Sequence, residues 1–186
     1  MTEISNKKIL DLFATPGKKE IGFSLLVKKY HKQIYWHIRH MVLVHEDAND
    51  LVQDVFLKIW KNLNKFKGNS DLYTWIYRIT VNETLAFLKK KKKSYSIEEN
   101  YESVSKISIN STTISGNDIE SHLQKALYLL PPKQRTVFEL KYFQQMKYED
   151  MSKILNVAIG SLKASYHHAV KKIKHNVQLN LNLNDK

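Results

Sequence analysis

Seven apolar residues recur at three- and four-residue steps in DLVQDVFLKIWKNLNKF: Leu51, Val52, Val55, Phe56, Ile59, Trp60 and Leu63. An apolar stripe of that period, about four turns long, is what an α-helix with one buried face requires, and it fits no strand. Such a stripe needs a cover. Upstream, Phe23, Leu26, Val27, Tyr30, Ile34 and Ile38 repeat in the same way and form a second amphipathic helix that can pack on the first. Strand signals are weak everywhere in the 186 residues, so the chain is expected to be all-α.

The opposite face of the striped helix carries Asp50, Gln53, Asp54, Leu57 and Lys61. A solvated face accounts for four of these, but not for Leu57. An apolar side chain among polar ones suits a protein-binding surface better than open water.

Charge separates the chain into blocks. The net charge is +12, and an excess of that size favours a polyanionic partner. Residues 1–93 carry 18 basic and 9 acidic side chains, and residues 118–186 carry 11 and 6. Between them SYSIEENYESVSKISINSTTISGN, residues 94–117, is acidic and rich in Ser, Thr and Asn. It buries too little apolar surface to offset its ordering entropy, so a flexible linker is expected. The predicted organisation is a helical domain over 1–93, the linker over 94–117, a second helical domain over 118–180 and a short tail over 181–186.

Several classes are disfavoured. The absence of Cys excludes disulfides and thiolate metal sites and fits a reducing cytoplasm. No apolar run approaches the roughly 20 residues of a membrane span. MTEISNKKILDLF lacks the order of a signal peptide. His31, His37, His40 and His45 stand without carboxylates at metal-site spacing, and no H-E-x-x-H motif occurs. No metal, cofactor or enzymatic reaction is expected.

After Leu63 the text changes. Phe66-Lys67-Gly68-Asn69-Ser70 reads as a turn, with Gly68 to relax the backbone and Asn69 or Ser70 as a helix N-cap. In the next helix Leu72, Trp75, Ile76, Ile79 and Thr80 form a core-facing stripe. Tyr73, Thr74, Tyr77, Arg78 and Asn82 fall on other faces, and Lys89 to Lys93 are five consecutive lysines. Rings beside amides and lysines suit single-stranded nucleic acid, since bases stack on rings for about 1–3 kcal/mol each and lysines neutralise phosphates. A helix with core aromatics and a solvated basic end has the same composition, and this segment alone does not separate the two.

In the second domain Ile119, Leu123, Ala126, Leu127 and Leu130 form a helix stopped by Pro131-Pro132, and Pro132 opens the next, with Val137, Phe138, Leu140 and Phe143. Tyr148 to Leu155 is a short helix with Asn156 as its left-handed cap, and Ser161 is the expected N-cap of the last helix. There Leu162, Tyr166, Ala169, Val170, Ile173 and Val177 form the apolar stripe. Lys163, His167, Lys171 and Lys174 lie opposite, beside Ala164 and His168. A short helix, a tight turn and a basic-edged second helix form a helix-turn-helix, whose second helix enters the major groove.

With these motifs in this order the chain resembles the extracytoplasmic-function (ECF) sigma factors, the compact two-domain sigma subunits of bacterial RNA polymerase. HEDANDLVQDVFLKIWKNLNKFKG followed by TWIYRITVN resembles their region 2, and LLPPKQRTVFELKYF followed by the helix-turn-helix resembles region 4. The resemblance covers about seven-tenths of the chain, leaving no room for a region 3.

It implies a protein that brings core RNA polymerase to promoters and opens the −10 element. Asp50, Gln53, Asp54, Leu57 and Trp60 would dock on the clamp helices of the largest subunit, and region 4 would meet the flap. Phe66, Lys67, Asn69, Ser70, Tyr73, Thr74, Trp75, Arg78 and Asn82 would bind the −10 element as single-stranded DNA, holding an extruded base. Ser161, Lys163, Ala164, Ser165, His167, His168, Lys171 and Lys172 would read the −35 element as duplex. An anti-sigma factor is a further implied partner, and the cytoplasm the implied location.

The chain departs from the family in places. Ser161-Leu162-Lys163-Ala164-Ser165 stands where the family usually shows Thr-Val-Lys-Ser-Arg, so a familiar Arg contact is lost and His167 or His168 are the candidates to replace it. The basic run after region 2 is all Lys, which keeps phosphate attraction but not bidentate base recognition. The alternative, a free-standing helix-turn-helix regulator of duplex operators, leaves Leu57 and the aromatic turn unexplained.

Overall fold

A computed structural model describes residues 4–42, 44–94, 123 and 125–184. Apart from Ser94, the expected linker lies outside the described residues. Those described form helices joined by turns, with no strand among them: α1 (Asn6–Ala14), α2 (Lys19–Met41), α3 (His45–Asn62), a single 3-10 turn (Leu63–Lys65), α4 (Leu72–Ser94), α5 (Pro132–Tyr142), α6 (Tyr148–Leu155) and α7 (Ile159–Asn184). Residues 125–128 are also helical, ahead of Pro131.

The N-terminal domain is built on the two stripes read from the sequence. Leu26, Tyr30, Ile34 and Ile38 of α2 meet Leu51, Val52, Val55 and Ile59 of α3, and Leu72 and Ile76 of α4 close the core. Helix α1 has no counterpart among the expected elements. Ser5 caps it by accepting a hydrogen bond from the Lys8 N–H at 3.2 Å, and it buries Ile9 and Phe13. It lies against α2 at Gly22, where an added Cβ would come 2.6 Å from the Phe13 nitrogen and 2.9 Å from the Ile9 carbonyl.

The C-terminal domain follows local rules closely. Pro132 is the first residue of α5, where its missing N–H costs nothing. Asn156 ends α6 in the left-handed region at φ 53°, a conformation its short amide tolerates. Ala126, Leu127, Leu130, Phe138, Ala169 and Ile173 share one core.

The domains are packed together. Tyr77 and Val81 of α4 share a buried cluster with Val137 and Leu140 of α5, Met146, Met151 and Ile154 of α6 and its approach, and Leu162 of α7. Each fully buried side chain of this size contributes about 1.5–3 kcal/mol. Polar contacts frame the seam: Arg135 donates to the Met41 carbonyl at 2.8 Å, the Tyr77 hydroxyl to Gln144 at 2.7 Å, and the His37 ring pairs with Glu139.

This packing corrects the reading of α4. Thr74 and Tyr77, expected on faces other than the core stripe, are 3% and 0% exposed, and Tyr77 is covered by the second domain. Smaller corrections are local. Helix α4 starts at Leu72 with the Trp75 N–H bonded to the Asp71 carbonyl, so the cap position belongs to Asp71 and not to Asn69 or Ser70. Helix α7 starts at Ile159, its Leu162 N–H bonded to the Ala158 carbonyl, which puts Ser161 inside the first turn. Val170 is 40% exposed, at the edge of a stripe that Leu162, Ala169 and Ile173 bury. Helix α7 continues to Asn184.

Because Gly22 leaves no room for a methyl group, Gly22→Ala is expected to destabilise the protein by about 1–3 kcal/mol. A thermal melt monitored by circular dichroism should then shift down by about 3–10 °C. An unchanged melt would mean that α1 and α2 are not in such close contact.

Candidate functional site

Three surfaces carry the residues singled out by sequence. The first is the outer face of α3. Asp50, Gln53, Asp54 and Leu57 are all exposed there, one helical step apart along a row, with Leu57 at 55%. Trp60 turns the other way. Its ring packs edge-on against Phe13 at 5.5 Å and Phe23 at 4.9 Å, and the Lys19 ammonium lies 4.6 Å from its centroid. The row therefore consists of three polar residues and one leucine, and Trp60 anchors the helix behind it.

The second surface is the turn into α4. Gly68 has φ +72°, a left-handed value that suits glycine, and it bends the chain so that the Phe66 and Trp75 rings come within 5.6 Å. Lys67 and Asn69 are exposed, and Ser70 is half-buried. Beside the turn a groove of about 590 Å³ is lined by Phe13, Lys19, Phe66, Lys67 and Gly68 among others. Along α4, Asn82 is exposed and Tyr73 half-buried, its ring 4.5 Å from Tyr77. Burial pushes the Tyr73 phenol up to about 12, so it stays neutral. Arg78 donates to the Lys153 carbonyl at 2.7 Å, which ties it to α6. The structure thus brings Phe66 and Trp75 together, places Lys67 with Phe66 along the groove, buries Thr74 and ties Arg78 to α6.

The third surface is α7. Ser161, Lys163, Ala164, His167, His168, Lys171 and Lys172 are exposed and Ser165 is half-buried. The Lys172 ammonium donates to Gln134 of α5 at 3.2 Å, and that of Lys163 lies 5.9 Å from the Tyr148 ring. Both lysines therefore start from defined positions on a convex helix whose inner side is held by Leu162, Ala169 and Ile173. A convex, cation-rich helix presented by a short supporting helix fits the major groove.

Sequence reasoning missed the polar residues of the seam: His37, Arg135 and Glu139, all under 5% exposed. A signal was present. Glu139 interrupts the apolar run Val137-Phe138-Glu139-Leu140, and a carboxylate in such a frame must find a partner. Among the described residues no group of three or more His, Asp or Glu side chains is placed to hold a metal ion, and no helix is long and apolar enough to cross a membrane.

The model of sigma-70 region 2 matches residues 26–94 and that of sigma-70 region 4 matches residues 119–173, together two thirds of the chain. The chain belongs to the sigma-70 family, as an RNA polymerase sigma factor of the ECF type. It directs core polymerase to promoters and opens the −10 element, and its partners are core RNA polymerase and promoter DNA. The reading as a free-standing regulator is not favoured.

The chain is 26% identical to the ECF RNA polymerase sigma factor SigW of Bacillus subtilis over 156 residues, covering 78% of this chain and 83% of the relative. It is 25% identical to the ECF RNA polymerase sigma-E factor of Haemophilus influenzae, covering 95% and 97%. Among solved structures, the sigma factor RpoE of Bartonella quintana, in complex with the anti-sigma factor NepR, shares the fold with a TM-score of 0.67 at 22% identity. That match covers 84% of this chain and 96% of RpoE.

On α7 the lysines and the central residues should behave differently. Removing Lys163 or Lys171 is expected to lower the slope of log affinity against log salt by about one unit each, with base preference unchanged. Substitution of Ala164, His167 or His168 should change the preferred −35 bases. Binding titrations at several salt concentrations on a promoter library measure both. A Lys163→Ala variant with altered base preference and an unaltered slope would reverse this division.

Proposed function

We propose that this sigma factor works in the cytoplasm without a reaction of its own, and that its tasks are divided among the three surfaces. Asp50, Gln53, Asp54 and Leu57 dock on the clamp helices of the largest polymerase subunit, with Trp60 holding α3 in place behind them. Phe66, Lys67, Asn69, Ser70, Tyr73, Trp75, Arg78 and Asn82 receive the non-template strand of the −10 element, with Thr74 supporting that surface from within. An extruded base costs a few kcal/mol of stacking, which ring contacts and a polar pocket can offset. Ser161, Lys163, Ala164, Ser165, His167, His168, Lys171 and Lys172 meet the −35 duplex. The domain limits are those of the sequence reading: region 2 within 1–93 and region 4 within 118–180. An anti-sigma factor that covers these surfaces is the expected regulator, by analogy with the complex in which RpoE was solved.

The observation that carries this reading is Leu57. Every other aliphatic side chain of α3 is buried, while Leu57 is 55% exposed in the middle of an acid–amide row. Folding has no use for it there, but a partner's helices do.

Run-off transcription with core polymerase on a promoter library tests the function directly and yields both promoter elements. In the same assay an Asp54→Lys/Leu57→Ala double variant should keep its helical spectrum and lose core affinity by about 2–4 kcal/mol, thirtyfold or more. A folded double variant that binds core polymerase normally would show that this face is only solvated.

A further inference from the structure

The groove beside the aromatic turn has a wall that the region 2 match does not include. That match begins at residue 26, whereas Phe13 lies in the last turn of α1 and Lys19 opens α2. Phe13, Leu63 and Phe66 supply apolar lining to its volume of about 590 Å³, and Lys19, Lys67 and Asn64 add two ammonium groups and an amide. No Asp or Glu lines it. The Lys19 ammonium lies 5.0 Å from the Phe13 centroid and 4.6 Å from that of Trp60, distances at which ring faces attract a cation. Close packing fixes this wall. At Gly22 an added Cβ would lie 2.6 Å from the Phe13 nitrogen, and the Phe13 ring meets Trp60 edge-on at 5.5 Å. The groove is open at Gly68, where an added Cβ would meet nothing within 4 Å.

Rings, cations and an amide without an acid are the groups that a nucleotide needs. Its base takes the ring contact, its phosphate the ammonium groups and its polar edge the amide. The volume lies in the range of small-ligand sites, about 300–1,000 Å³. A duplex keeps its bases stacked and offers none to a recess of this size, whereas a single strand does. Continuity with the proposed −10 surface points the same way. Phe66 pairs with Trp75 at 5.6 Å in the turn and also lines the groove, and Lys67 lies beside it there. A strand that rests one base on that pair of rings brings its neighbouring nucleotide to the groove.

We propose that the groove between α1 and the turn is a second nucleotide subsite for the −10 single strand, next to the extruded base. Phe13 and Phe66 contact its base, Lys19 and Lys67 its phosphate, and Asn64 the polar edge of the base. Helix α1 thereby joins the DNA surface. The subsite rests on the reading of the turn as the −10 surface given above.

The test uses the full chain bound to core polymerase and fluorescent single strands of the non-template −10 element recovered by run-off. One strand is intact and each of the others carries a single abasic site. Ala14→Glu places a carboxylate in the groove at the exposed end of α1. Lys19→Met keeps the stem of the side chain and removes its charge. Both variants should retain the helical spectrum and bind the intact strand about tenfold more weakly, within the range for one stacked base. An abasic site at one position beside the extruded base should cost the wild type a similar factor and cost Ala14→Glu nothing further. At the extruded base itself the two losses should multiply. Folded variants that bind the intact strand as the wild type does, or losses that multiply at every position, would overturn the subsite. A wild type inactive in run-off transcription would instead defeat the proposed function and the subsite with it, whereas an active one leaves the strand measurements to decide the groove alone.

Discussion

A carboxylate without solvent must be given a counter-charge and hydrogen bonds or take up a proton, and this requirement joins the two domains at Glu139. Its partner His37 is 102 positions away in sequence. Burial alone would push the Glu139 carboxyl up. The His37 charge and the hydrogen bonds around it outweigh that and hold it down at about 2. Once Glu139 is placed, α5 must lie on α2, Arg135 finds the Met41 carbonyl, and Tyr77 is covered. The double burial of α4 follows from the same contact.

The surfaces proposed for polymerase and DNA share a structural principle. Each belongs to a helix whose inner face is fully committed to a core, so the outward residues are presented without conformational searching. Leu57 is presented by a helix pinned through Val55, Phe56 and Ile59, and the α7 cations by one pinned through Leu162, Ala169 and Ile173. The aromatic turn relies instead on Gly68, whose positive φ lets Phe66 fold back toward Trp75. A strand-opening surface and a duplex-reading surface then differ chemically as expected, with rings and amides on one and cations on a convex helix on the other.

Much of this was legible in the chain because it obeys short-range rules. The α2 and α3 stripes, Pro132 at the start of α5, the left-handed Asn156 and the break at Gly68 each depend on a few neighbouring residues. Outward placement of Asp50, Gln53, Asp54 and Leu57 followed from the same helical period, as did exposure of Lys163, His167 and Lys171. Helix α1 escaped because nine residues with two buried side chains give too short a stripe to read, and its close approach to α2 at Gly22 is a tertiary contact. The caps of α4 and α7 moved by one to three residues for a related reason. Asp71 and Ala158 supply backbone carbonyls at positions where side-chain preference had pointed elsewhere.

By itself the sequence determined the helical class, the family, the order of its two regions and the faces that helices turn outward, because periodicity and local capping act over one or two turns. Tertiary structure alone decided the fate of Thr74, Tyr77 and Arg78, the inward turn of Trp60, and the pairing of Glu139 with His37. A helical period says which residues share a face, but not how many neighbours the helix will meet. A buried charge announces that it needs a partner, and only the folded chain shows which distant residue supplies it.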